Sequence, residues 1–175
     1  NSVHKQYFDN YVDISGLEFA RAIELGCGPF TNIRHIDCEI GELVLLDPLI
    51  EEYIGHRHNQ LGGAILVAST IEEMPELGHF DLVVMINVLE HCQDANTVLH
   101  RIWNLLAPNG YVVFGEQSYW NVTDLLGKRY DAGHPIRPTL PFLERFVQRF
   151  EPVYRRDIRR TAGYAVYFIG KKNAD

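Results

Sequence analysis

An apolar run ends in an acid and then in two glycines at residues 21–30, Arg-Ala-Ile-Glu-Leu-Gly-Cys-Gly-Pro-Phe. Gly26 and Gly28 have no Cβ, so the backbone there can adopt a positive φ and let a bulky ligand come against the main chain. A second apolar run, residues 42–46, ends in Asp47, an acid placed to accept both hydroxyls of a ribose. The sequence therefore predicts the first half of a nucleotide site built on a parallel sheet.

The sixth position of the glycine motif distinguishes two classes of cofactor. Nicotinamide and flavin sites use G-x-G-x-x-G/A, whose third small residue lets a helix pack closely with its N-terminus facing a pyrophosphate. Here the sixth position is Thr31, and Pro29 and Phe30 put bulk where a diphosphate would pass. The residues therefore disfavour a nicotinamide cofactor, although an NAD(P)-binding oxidoreductase stays an alternative.

Residues 24–29, Glu-Leu-Gly-Cys-Gly-Pro, resemble the first motif (E/D-x-G-x-G) of the class I S-adenosylmethionine-dependent methyltransferases, whose cofactor has no phosphate. Asp47 stands where that family keeps its ribose-binding acid. Residues 70–75, Thr-Ile-Glu-Glu-Met-Pro, are similar to its adenine-flanking segment. Residues 80–91 resemble its fourth strand with the following turn, and residues 105–114 its L-x-P-G-G strand entry. The resemblance thus covers roughly residues 20–115.

The resemblance implies a site for S-adenosylmethionine, with S-adenosylhomocysteine as the product. In that site Gly26 and Gly28 would admit the methionine part, Glu24 would help to place its ammonium, and Asp47 would bind the ribose. Ile71 would flank the adenine. The residues that we expect to bind the cofactor are Glu24, Gly26, Cys27, Gly28, Asp47, Pro48, Thr70, Ile71 and Asn87.

Strand-like and helix-like segments alternate along the chain, which is typical of a parallel sheet with helices on both faces. Predicted strands span 20–25, 42–46, 64–68, 81–87, 111–115, 153–160 and 164–170. Predicted helices span 3–13, 30–38, 49–60, 95–106 and 139–150. With the resemblance, they imply an α/β, Rossmann-like class I methyltransferase fold: a mostly parallel seven-stranded sheet with an antiparallel last strand. We expect residues 1–175 to form a single domain, with residues 1–19 as a lead-in helix in which Val3, Tyr7 and Tyr11 share one face.

A loop-rich stretch, residues 117–138, follows the fifth predicted strand, where this family commonly builds its acceptor pocket. We interpret it as a lid over the acceptor site. His134 is the candidate catalytic residue, because a histidine is the usual general base near neutral pH for an acceptor that carries a proton. The candidate substrate-binding residues are His91, Tyr119, Trp120 and Arg137. Alternatively, these rings pack the lid onto the sheet.

Composition limits the classes of partner. The net charge of −7 argues against a large nucleic-acid footprint. No stretch approaches the ~18 to 20 uninterrupted apolar residues of a membrane span, and no signal leader opens the chain. The three cysteines are odd in number and lack metal-ligand spacing, so we expect no metal and a cytoplasmic location.

The combined interpretation is a methyltransferase that transfers a methyl group from S-adenosylmethionine to a small-molecule acceptor, with an oxygen nucleophile favoured. A second hypothesis is a non-catalytic methyltransferase-like domain of a larger protein or complex. The lead before the first strand is short, so a homodimer contact or an additional domain is expected to help close the site.

Overall fold

The computed structural model describes residues 4–54, 62–120 and 133–174. Seven strands form one sheet in the order β3-β2-β1-β4-β5-β7-β6. The strands are β1 (Glu18–Leu25), β2 (Glu39–Leu46), β3 (Ile65–Val67), β4 (Phe80–Ile86), β5 (Leu106–Gln117), β6 (Glu151–Arg160) and β7 (Gly163–Lys171). The α-helices are α1 (Ile50–Ile54), α2 (Ala95–Leu105) and α3 (Leu140–Val147). Strand β7 runs antiparallel to both of its neighbours. The predicted seven-stranded α/β, Rossmann-like fold with an antiparallel last strand is thus confirmed.

Apolar residues cover both faces of the sheet. Strand β4 is buried at every position except Asp81, as expected of a central parallel strand that carries elements on both faces. One face packs against α2 and α3. The other packs against the N-terminal segment, Ile33 and Ile50. The strand order reverses between β1 and β4, so the carboxyl edge beside these strands is where an open α/β sheet binds ligands.

The predicted helix at 30–38 is only a single 3₁₀ turn, Ile33–His35. The backbone N–H groups of Asn32 and Ile33 donate to the Glu24 carboxylate at 2.7 and 3.1 Å, so a buried acid caps the short turn. Helix α1 occupies the start of the predicted 49–60 helix, and residues 55–61 lie outside the described residues. Strand β5 begins before its predicted start, and its pairing with β4 shifts register between Phe80 and Leu82.

The lead-in segment differs from the predicted amphipathic helix. Residues Lys5–Ile14 form 3₁₀ turns broken by positive φ values at Asp9 (48°), Asn10 (58°) and Tyr11 (61°). Its buried side chains are Phe8, Tyr11 and Ile14, each 0% exposed. Packing against the sheet outweighs helical periodicity here, and the predicted Val3 lies outside the described residues. Within the described parts of the chain, no helix has the length and apolar content needed to cross a membrane.

Candidate active site at the carboxyl edge of the sheet

The glycine loop after β1 is bound to the end of β2. The N–H groups of Gly26 and Cys27 donate to the Leu46 carbonyl at 2.8 and 3.2 Å. Gly26 and Gly28 adopt positive φ values of 67° and 54°, as the motif requires. A Cβ on Gly26 would lie 2.6 Å from both methyl groups of Val88. Gly26 is therefore required for packing against the turn after β4.

Gly28 differs from Gly26 in what it faces. Among the described residues, no atom lies within 4 Å of the position that a Cβ on Gly28 would take. A side chain at Gly28 would therefore extend into space that the described residues leave unfilled, and the predicted contact of Gly28 with the cofactor stays a prediction.

Asp47 connects the loops that follow β1 and β2. One carboxylate oxygen accepts from the Gly28 N–H at 2.9 Å, and the other accepts from the Leu49 N–H at 2.9 Å. Asp47 is 8% exposed, whereas Pro48 beside it is exposed. A carboxylate offers about four acceptor sites, so these contacts leave capacity for ribose hydroxyls. The predicted ribose contact stays a prediction.

Glu24 has a structural role that the sequence did not indicate. Besides the two backbone donors, its carboxylate accepts from Asn32 Nδ2 at 3.1 Å. Glu24 is 1% exposed, and burial raises the pKa of its carboxyl to about 7. The side chain therefore holds the segment at Asn32 in place, and its predicted contact with the cofactor ammonium stays a prediction.

The other predicted cofactor residues lie at the same edge of the sheet or beneath it. Thr70 Oγ1 accepts from the Glu73 N–H at 3.2 Å, so Thr70 caps the turn after β3. Ile71 is 3% exposed and belongs to the core. Asn87 is exposed at the end of β4, with a φ of 59°. Cys27 is buried, which raises the pKa of its thiol and argues against a nucleophilic role.

Two histidines and a glutamate meet beside the turn after β4. One side-chain N or O atom from each of Glu90, His91 and His134 lies within 4.8 Å of the others, and we call these three residues the Glu90 cluster. The Tyr119 hydroxyl donates to Glu90 Oε2 at 2.8 Å. His91 Nδ1 lies 2.8 Å from the Gly133 carbonyl, which can only accept, so Nδ1 is the protonated nitrogen.

The predicted acceptor residues divide into two places. Arg137 lies over the Tyr119 ring at 5.4 Å, next to the Glu90 cluster. Trp120 instead donates from Nε1 to the Thr161 carbonyl at 3.2 Å and packs against Tyr164. It therefore lies against the turn between β6 and β7. Of the predicted lid, residues 121–132 lie outside the described residues.

The sequence interpretation missed Glu116, at the end of β5. Its Oε1 accepts from the N–H groups of Val88 and Leu89 at 3.0 and 3.1 Å, which fixes the turn that leads to the Glu90 cluster. Glu116 is 3% exposed, and burial raises the pKa of its carboxyl to about 8. An acid at the end of a strand that is otherwise apolar was the only sequence signal for it.

Glu116→Gln is expected to change how stability depends on pH. Because the folded-state pKa of about 8 lies above the ordinary 4.5, the folded protein binds the extra proton between these values. Glu116 therefore makes wild-type stability fall as pH rises through this window, whereas a glutamine does not ionise. Relative to wild type, the variant should become more stable as pH rises. Urea unfolding at about pH 5 and about pH 9 measures how the free energy of unfolding of each protein changes with pH. The contribution of Glu24 cancels when the two changes are compared, because both proteins contain Glu24. Parallel pH curves would contradict the assignment.

Comparison with known proteins identifies relatives. The model of a family described as a methyltransferase domain matches residues 2–161. A ubiquinone biosynthesis O-methyltransferase from Bradyrhizobium sp. (strain ORS 278) is 26% identical over 118 residues, which cover 62% of this chain and 44% of that protein. The chain therefore spans less than half the length of the curated relative that it matches.

Solved structures share the fold. The N-methyltransferase NodS from Bradyrhizobium japonicum WM9, in complex with S-adenosylhomocysteine, matches with a TM-score of 0.70 and 19% identity over 97% of this chain and 85% of that one. The YcgJ protein from Bacillus subtilis matches with a TM-score of 0.76 and 11% identity over 98% of this chain and 99% of that one. A 1,6-didemethyltoxoflavin-N1-methyltransferase from Burkholderia thailandensis gives a TM-score of 0.59 and 18% identity over 88% of this chain and 71% of that one. At these identities the likeness concerns the fold.

Proposed function

This chain belongs to the methyltransferase domain family, and from that membership we propose that it transfers a methyl group from S-adenosylmethionine to an oxygen atom of a small-molecule acceptor. The product of the cofactor is S-adenosylhomocysteine. The sulfonium makes the methyl group electrophilic when the cofactor is bound. The protein then has to align a nucleophile behind the methyl group and exclude water.

The glycine loop and Asp47 support the cofactor half of the proposal. Gly28 follows the carboxyl end of β1, and no described atom lies within 4 Å of a Cβ added there. Asp47 lies at the end of the adjacent β2 and is hydrogen-bonded to the Gly28 N–H. A ligand that binds along this edge meets the glycine backbone and a carboxylate together, which suits a nucleoside without phosphates.

The part of the proposal that concerns the methyl acceptor rests on the Glu90 cluster. It follows β4, the neighbour of β1, at the same edge of the sheet. An imidazole can take the proton of a hydroxyl group as oxygen attacks the methyl carbon, and a nearby carboxylate stabilises the resulting imidazolium. We assign that role to His134, whose Nε2 lies 3.9 Å from Glu90 Oε1. The O-methyltransferase relative agrees with an oxygen acceptor.

A nitrogen acceptor is the second candidate, because two of the similar structures are N-methyltransferases. The acidic net charge favours a small acceptor over a nucleic acid.

We further propose that residues 1–175 form one methyltransferase domain in the cytoplasm, with residues 117–138 as the lid over its acceptor site. A homodimer contact or an additional domain would complete the closure of that site.

Thermal unfolding with candidate cofactors tests the proposal. S-adenosylhomocysteine at a hundred times its dissociation constant should stabilise the protein by about 2.7 kcal/mol, a shift of several degrees, while NAD and NADP should give none. Transfer of a labelled methyl group to hydroxyl or to amine compounds then separates the two acceptor classes. Absence of a shift with S-adenosylhomocysteine would exclude the methyltransferase function. A shift without transfer to any acceptor would favour a non-catalytic domain.

A further inference from the structure

We propose that the Glu90 cluster binds a divalent transition-metal ion. The ion-binding part of this proposal stands alone, and its consequence for the acceptor rests on the proposed function. No motif in the sequence predicts such a site, because the sequence separates His134 from Glu90 and His91 by more than forty residues. The fold brings the three residues together at the carboxyl edge of the sheet.

The backbone places the three side chains on facing segments. Glu90 and His91 belong to the 3₁₀ turn Leu89–His91. The segment that carries His134 is held to that turn, since the Ile136 N–H donates to the Glu90 carbonyl at 3.3 Å. The rings of His91 and His134 have centroids 4.5 Å apart. Ligand atoms that all lie within 4.8 Å of one another need only a small inward movement to share an ion.

Two hydrogen bonds orient the cluster as the outer partners of a metal site do. His91 Nδ1–H donates to the Gly133 carbonyl, which leaves the Nε2 lone pair available to an ion. The Tyr119 hydroxyl donates to Glu90 Oε2, and Glu90 Oε1 is the oxygen nearer to His134. Metal-ligating histidines and carboxylates typically have such partners, which fix both the tautomer and the direction of the ligand.

The donor set favours a first-row transition metal. Two imidazoles and one carboxylate suit Zn²⁺, Mn²⁺ or Co²⁺, whereas Mg²⁺ prefers an all-oxygen shell. Three protein ligands leave at least one position open for a further oxygen atom, which is the arrangement of catalytic rather than structural sites.

The open position gives the ion a role in methyl transfer. An acceptor hydroxyl that coordinates there becomes more acidic, as a metal-bound water does, and its proton leaves to solvent. The oxygen then forms a bond to the methyl carbon as the methyl–sulfur bond breaks and its electron pair returns to sulfur. The products are a methyl ether and S-adenosylhomocysteine. With the ion bound, His134 serves as a metal ligand and the ion activates the acceptor; without the ion, His134 keeps the base role assigned under the proposed function.

Calorimetric titration of the chelator-treated chain with ZnCl₂ and with MnCl₂ tests the site. We expect a single saturable site in the wild-type protein and weaker binding of MgCl₂. His91→Ala and Glu90→Gln should each lower the affinity at least about 100-fold, because loss of an outer partner alone costs about 10- to 100-fold. Tyr119→Phe should lower it about tenfold. The MnCl₂ titration controls for zinc binding by the free cysteines, because thiolates prefer Zn²⁺ to Mn²⁺.

His100→Ala is the matched control. His100 is an exposed histidine on α2 whose Nε2 lies 3.0 Å from Asn104 Nδ2. The control should bind the ion as wild type does, and equal affinities in His91→Ala and His100→Ala would overturn the site. Visible absorption of the Co²⁺-loaded protein should show direct imidazole coordination that is lost in His91→Ala.

Binding of S-adenosylhomocysteine separates this inference from the proposed function. Chelation should leave that binding unchanged, and it should lower methyl transfer until the ion is restored. Ion binding without S-adenosylhomocysteine binding would refute the methyltransferase proposal and leave the ion site standing. Full turnover of the metal-free protein would refute the ion's role in activating the acceptor.

Discussion

Gly28→Val is expected to abolish binding of S-adenosylhomocysteine while the protein still folds. The added Cβ meets no steric obstacle among the described residues, because none of their atoms lies within 4 Å of it. The left-handed backbone at a φ of 54° adds a cost of about 1 to 2 kcal/mol for a residue other than glycine. Valine would occupy the space above the loop, where we place the methionine part of the cofactor. Calorimetry with S-adenosylhomocysteine measures the loss.

Gly16→Val is the matched control for backbone strain. Gly16 also has a positive φ, 74°, and no described atom within 4 Å of an added Cβ, but it precedes β1 at the opposite edge of the sheet. The control should therefore show similar strain and normal cofactor binding. Equal affinities for Gly28→Val and wild type would disprove direct contact with the cofactor. Gly26→Val, by contrast, should impair folding through its clash with Val88.

His134→Ala is expected to reduce turnover by about 10² to 10³-fold and to leave cofactor affinity unchanged. Loss of a general base typically costs this much, and loss of a metal ligand beside the acceptor would reduce turnover for a different reason. Steady-state kinetics with calorimetry of S-adenosylhomocysteine separates the two quantities. The metal-free wild-type protein should show the same loss of turnover as His134→Ala only if the ion activates the acceptor.

His79→Ala provides the corresponding control. His79 is an exposed histidine that immediately precedes β4, at the amino edge of the sheet, and its Nδ1 lies 3.1 Å from the Asn104 carbonyl. We expect normal turnover from it. A His134→Ala variant as active as His79→Ala would remove His134 from the acceptor site, and Tyr119 or His91 would then be the better candidate.

The sheet and the cofactor edge were predictable because the signals are local. Most strands contain a short apolar run, although β6 is largely charged, and Gly28 and Asp47 closely follow β1 and β2 in the sequence. Parallel strands bring such end residues to one edge whatever lies between them. Local signals failed where tertiary contacts decide the conformation. The capping of a 3₁₀ turn by Glu24 shortened a predicted helix, and packing broke the lead-in at Asp9 to Tyr11.

The Glu90 cluster was only partly predictable. His91 and His134 were selected singly from their residue type and position, but their proximity depends on a contact between segments far apart in the chain. Glu90 has the commonplace pattern of an acid in the first turn of a short helix. In the sequence Glu116 is one acidic residue among many. Its burial and the hydrogen bond that it accepts from the Val88 N–H distinguish it only in the structure.

The contact between the lead-in and the last two strands determines when the chain can complete its fold during synthesis. The Tyr154 hydroxyl of β6 donates to the Tyr7 carbonyl, and the Tyr167 ring of β7 stacks on Tyr7 at 4.7 Å. The lead-in is synthesised before β6 and β7, which supply part of the surface that it packs against. Until then Phe8 and Tyr11 have no hydrophobic surface of these strands to cover them. The nascent chain therefore passes through an interval in which these aromatic residues are incompletely covered, and exposed apolar surface of this kind favours aggregation.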